Sequence, residues 1–97
     1  MTSEEMRNLI DCVTHEDCTV QPNGGIYWCL GMTYDPDKDE YCIEVYEEKS
    51  DTHEFIRNLL RYQSKSKDEC MKHFLEDKYW DGKSFYEIAP DMNWVDL

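Results

Sequence analysis

The chain has 97 residues, with 22 acidic against 10 basic side chains and a formal charge of −12 at pH 7. A chain this short buries only about 60 to 65% of its unfolded surface, which leaves room for a single domain (residues 1–97) and disfavours a roomy enzyme pocket. With 40% of its residues apolar and 13% aromatic it still carries enough to build a core, which excludes wholesale disorder. The sign of the charge disfavours direct contact with phosphate backbones or anionic lipid head groups, and makes a cationic surface on another protein the natural partner.

In chain order, residues 1–7 lack the basic and apolar regions of a secretory signal, and the longest near-apolar stretch, Gly24 to Met32, is too short to cross a bilayer. The expected location is cytoplasmic. Thr2 and Glu5 have capping-box spacing, and Met6, Leu9, Ile10 and Val13 follow at i, i+3, i+4 and i+7. This predicts a short amphipathic helix ending near His15. Cys18 to Gln21 reads as a brief strand closed by turn chemistry at Pro22 to Gly25. Ile26, Trp28, Leu30 and Met32 then alternate with Tyr27, Cys29, Gly31 and Thr33, which predicts a strand. Asp35 to Asp39 is a hairpin loop, and the returning strand places Tyr41, Ile43 and Val45 on one face with Cys42, Glu44 and Tyr46 on the other.

Two further helices are expected. Asp51 and Glu54 cap the first, with a stripe of Phe55, Ile56, Leu59 and Leu60; Ser66 and Glu69 cap the second, with Cys70, Met71, Phe74 and Leu75. The aromatic stretch from Tyr79 onward is expected to pack back on the domain as a tail, with a short helix after Ser84. The predicted fold is α+β, order α-β-β-β-α-α, a three-stranded antiparallel sheet with helices on one face.

The charge is unevenly spread. Residues 35–54 carry a net −7, residues 1–17 carry −4, residues 84–97 carry −3, and residues 55–83 carry +2. Asp35, Asp37, Asp39 and Glu40 crowd one loop, and Glu44, Glu47, Glu48, Asp51 and Glu54 continue the run. Carboxylates held this close repel one another, a cost to stability that a cationic partner offsets. The alternative is a solvated loop.

Other chemistry is weakly represented. Gly24-Gly25 and the segment Asp81 to Ser84 lack the context of a phosphate-binding loop. Cys12, His15 and Cys18 have spacing at which three ligands approach one zinc ion, but no second paired-Cys element exists, so core thiols with a surface histidine are the preferred reading. The five cysteines form an odd set without a Cys-x-x-Cys pair, which fits reduced thiols. His53 and His73 read as surface or half-buried residues, and Trp28, Tyr27 and Tyr41 as sheet packing. A nucleophilic cysteine would need an electropositive setting that this field opposes. No catalytic residue, metal ligand or cofactor is expected.

Several short runs, in order and spacing, resemble the small acidic phage anti-CRISPR proteins that inhibit the type II RNA-guided DNA endonuclease. The runs are Leu9-Ile10, Asp17-x-Thr19-Val20 with Gly24, Asp37-x-x-Glu40-Tyr41-x-Ile43, Ser50 and Phe55-Ile56, over about residues 7–60. The resemblance implies an αβββαα inhibitor that occupies the site reading the short motif beside the target, in the host cytoplasm. Its acidic groups would meet arginines and lysines that otherwise contact DNA. Asp37, Asp39 and Glu40 would occupy the hairpin that reaches the nuclease domain, and Asp17 an acidic position at the end of the first helix. The family's acidic run at its third helix is thinned here to Asp68 and Glu69 among Lys65, Lys67 and Lys72, and the aromatic tail has no counterpart in it. The candidate partner-binding residues are thus Asp17, Asp35, Asp37, Asp39, Glu40, Glu44, Glu47, Glu48, Asp68 and Glu69. The alternative is an immunity protein that neutralises a nuclease toxin of the contact-dependent type, whose C-terminal segments the stretch Trp80 to Ile88 resembles.

Overall fold

A computed structural model describes residues 1–95; the last two residues of the predicted tail, 96–97, lie outside the described residues. The elements run α1 (Ser3–Val13), β1 (Cys18–Asn23), β2 (Ile26–Asp35), β3 (Glu40–Lys49), β4 (Phe55–Ser64), α2 (Lys67–Glu76), α3 (Phe85–Ile88), a 3-10 turn (Ala89–Asp91) and β5 (Asn93–Val95). The strands form one antiparallel sheet in the order β4-β3-β2-β1-β5. The α+β class holds, but the predicted three-stranded sheet is corrected to five strands.

Helix α1 starts where its chemistry says it should. Thr2 Oγ1 accepts from the Glu5 backbone N–H at 3.1 Å, the Glu5 carboxylate accepts from the Thr2 backbone at 2.9 Å, and Leu9 and Val13 are buried. The backbone N–H groups that capping satisfies would otherwise be orphaned. They also hold the Glu5 carboxyl below its ordinary value. In the sheet, Trp28, Leu30 and Met32 on β2 stand opposite Glu47, Val45 and Ile43 on β3. The last two continue to Leu60 and Tyr62 on β4. Leu30, Ile43, Val45 and Leu60 are buried with Leu9, Phe74 and Phe85, so the core lies between the sheet and the three helices. Tyr27, Cys29, Gly31 and Thr33, with Cys42, Glu44, Tyr46 and Glu48, form the opposite face. The helices sit on one face only.

The segment predicted to be a helix capped by Asp51 and Glu54 is strand β4. Residues 49–54 make a hairpin turn instead: the Lys49 N–H donates to the Glu54 carbonyl at 2.9 Å and His53 takes the left-handed region at φ 60°. The i, i+1, i+4, i+5 spacing of Phe55, Ile56, Leu59 and Leu60 arises from irregularities in the β3–β4 pairing, between Val45 and Tyr46 and between Glu47 and Glu48. Each breaks the period of two, so adjacent apolar residues imitate a helical stripe. The runs shared with the anti-CRISPR proteins therefore end inside a strand, where the resemblance implies a helix.

The aromatic tail is built into the fold. Trp80 is buried with its indole N–H donating to the Phe74 carbonyl at 3.3 Å, Phe85 is fully buried, and Ser84 and Glu87 form a complete capping box on α3. Strand β5 then pairs with β1, Trp94 opposite Val20. Cys12 and Cys18 are joined as a disulfide, with Cα atoms 6.6 Å apart, so the reduced-thiol expectation is corrected for this pair. The end of α1 and the start of β1 bring them within the ordinary reach of a bridge. Cys29, Cys42 and Cys70 are free.

Candidate functional site

Eight of the ten carboxylates singled out in the sequence divide into two groups, with Asp17 and Asp68 apart. Asp35, Asp37, Asp39 and Glu40 form the β2–β3 hairpin, where Asp35 pairs with Glu40 across the strand ends. The loop is rigidified from within: the Asp35 carboxylate accepts from the Asp37 N–H at 3.0 Å, Asp39 takes φ 51°, and the Tyr34 hydroxyl donates to Asp39 Oδ1 at 2.7 Å. That last bond pushes the Tyr34 phenol above its ordinary range. Tyr34 packs on Tyr41 at 4.9 Å, which braces the neck of the hairpin. Asp35, Asp37 and Asp39 are exposed, and among the described residues no cation lies within ion-pair distance of any of the four.

The second group is used by the fold. Glu47 accepts from the Trp28 indole at 3.0 Å and pairs with Arg57 at 3.2 Å. Glu44 pairs with Arg61 at 3.4 Å, and Glu48, buried, lies 2.9 Å from His53 Nδ1. Glu69 accepts from the Tyr62 hydroxyl at 2.7 Å and the Ser64 hydroxyl at 3.0 Å, which holds its carboxyl below the ordinary carboxylate range. The predicted capping box at Ser66 is accordingly half formed: the Glu69 N–H donates to Ser66 Oγ, while its carboxylate turns to β4.

Glu47 stands on the core face of the sheet, whereas Glu44 and Glu48 stand on the open face, so these three do not make one contact surface. Asp17, exposed at the turn after α1, joins Glu44 and Glu48 in lining a concavity of about 320 Å³ on the open face, beside Cys29 and Tyr46. The close approach of Asp17 depends on Gly31, since a methyl group there would overlap its carboxylate. The Cys29 neighbour, burial and the charges of Glu48 and Asp17 push the Tyr46 phenol up to about 12. Asp68, exposed in the first turn of α2, belongs to neither cluster.

Sequence reasoning missed Arg61 and the contribution of β4 to this face, because it read that segment as a helix. The alternation of Cys42, Glu44 and Tyr46 did mark the open face. Among the described residues no group of three or more His, Cys, Asp or Glu is placed to hold a metal ion, and Cys12 and Cys18, as a disulfide, offer no thiolate. Among the described residues no helix is long and apolar enough to cross a membrane. Compared with protein-family models, with curated proteins and with solved structures, the chain matches none.

Proposed function

We propose that the chain is a stoichiometric inhibitor, performing no chemistry, that lays its β2–β3 hairpin into the basic nucleic-acid groove of a nuclease, with an RNA-guided DNA endonuclease as the first target. The observation that carries the reading is the hairpin: four carboxylates within six residues, braced by Tyr34 and Tyr41, and none in an ion pair among the described residues. Arginines that grip guanine edges or phosphates through paired N–H groups grip carboxylates with the same geometry. The mechanism is competition, so inhibition is relieved by excess nucleic acid and weakened by salt.

A nuclease toxin is the second target. It rests on the resemblance of Trp80 to Ile88 to C-terminal segments of immunity proteins, while β4 departs from the helix that resemblance to the anti-CRISPR proteins implies; the mechanism is the same for both targets. Capture of partners from host lysate on the tagged chain tests both. A nuclease that is retained, and released by excess duplex DNA or guide RNA, supports the reading and names the target. Retention of a protein without a basic groove, unaffected by nucleic acid, contradicts it.

A further inference from the structure

At the end of the sheet away from the hairpin, the edge of the core opens into an aromatic cleft that the proposed contact does not use. It has a volume of about 580 Å³ and is lined by Trp28, Tyr79, Trp80 and Ile88 with Arg57 and Asp81. Trp28 and Trp80 are stacked at 5.1 Å and 25°, and Tyr79 stands edge-on to Trp80 at 5.3 Å. Each ring is tethered: the Trp28 indole to Glu47, the Trp80 indole to the Phe74 carbonyl and the Tyr79 hydroxyl to the Leu59 carbonyl. Trp80 is buried whereas Tyr79 is 49% exposed, so the walls are fixed and one stays open to solvent.

The charges decide the occupant. Arg57 is neutralised by Glu47, and Asp81 has no ion-pair partner among the described residues, which leaves the cleft one net negative charge within a chain of −12. We propose that this cleft receives an arginine or lysine side chain of a protein partner, its alkyl stem against the rings and its cationic head at the Asp81 side. Such a side chain satisfies rings and carboxylate together, through cation–π attraction and charge, where a purely apolar group leaves Asp81 without a counterpart. Tryptophan and tyrosine in a partly open pocket are also the residue types that dominate binding at protein interfaces. Trp28 and Asp35 are seven residue steps apart along β2, roughly 23 Å of strand, so the cleft is a contact separate from the hairpin and its test does not depend on it.

The test is an NMR titration of the indole N–H signals with N-acetylarginine amide and, as the uncharged isostere, N-acetylcitrulline amide, at physiological salt. The expected result is saturable shifts at Trp28 and Trp80 with Trp94 unmoved, and binding of the citrulline compound weaker by about threefold or more. Asp81→Asn keeps the backbone, since asparagine tolerates the left-handed conformation that Asp81 adopts at φ 55°, and should weaken the arginine probe about threefold. Tyr79→Leu should do likewise, while Asp37→Lys, Asp39→Lys and Glu40→Lys together should change it by less than about twofold, as a distant exposed charge does. Equal binding of the two probes, no saturable shift, or an unaltered affinity in Asp81→Asn overturns the proposal.

Discussion

Carboxylates of the same type carry opposite roles in this chain, and their partners tell them apart. Glu47, whose side chain is 13% exposed, receives the half-buried Trp28 indole and Arg57, so Glu47→Ala leaves that donor without its partner and should cost about 1 to 2 kcal/mol in urea unfolding. Asp37 makes no ion pair among the described residues and sits among like charges, so Asp37→Ala should leave stability within about 0.5 kcal/mol of the original or raise it. Equal losses in the two variants would contradict this division. The sequence showed where the acids are dense but could not sort them. Glu47 and Glu48 are adjacent letters on opposite faces of β3, and their partners Arg57 and His53 lie on or beside a strand that had to be placed first. The hairpin carboxylates were readable because a short loop keeps its residues together whatever the rest of the chain does.

At the scale of elements, strand β4 is the test of why patterning misled. A helix carrying Leu59 and Leu60 in one stripe would bury both alike. In the strand Leu60 is 5% exposed in the core and Leu59 only partly buried beside an irregularity. Leu60→Ala should therefore cost about 3 kcal/mol and Leu59→Ala less than about 1.5, measured by chemical denaturation. The other elements were legible for physical reasons: β2 and β3 keep an unbroken period of two, and α1 and α2 each pair a capping residue with an apolar stripe. The short helix expected after Ser84 is present, and the structure shows that a capping box starts it, so Ser84→Ala should cost about 1 kcal/mol. Strand β5 was invisible, since three residues carry no period and their pairing with β1 is a contact across most of the chain.

For the whole molecule, pH and charge act together. Glu5, Glu69 and Glu87 have folded-state pKa values lowered from 4.5, by the Thr2 backbone, the Tyr62 hydroxyl and the Ser84 backbone respectively. A lowered value means that their contribution to stability is present above the unfolded value and lost as pH falls through the folded one. Melting temperature should drop on acidification below about pH 4.5, and drop less in the variant with glutamine at all three positions. On the proposed reading, a chain of −12 whose braced hairpin carboxylates have no ion-pair partner among the described residues meets a cation outside itself. The most direct measurement is the affinity of the captured nuclease, across a salt series, for the original chain and for two charge reversals. Lysine at 37, 39 and 40 should weaken binding by at least about a hundredfold and flatten its salt dependence, while lysine at 76 and 77 changes it by less than about fivefold. Unchanged affinity and salt slope in the hairpin variant would contradict the account.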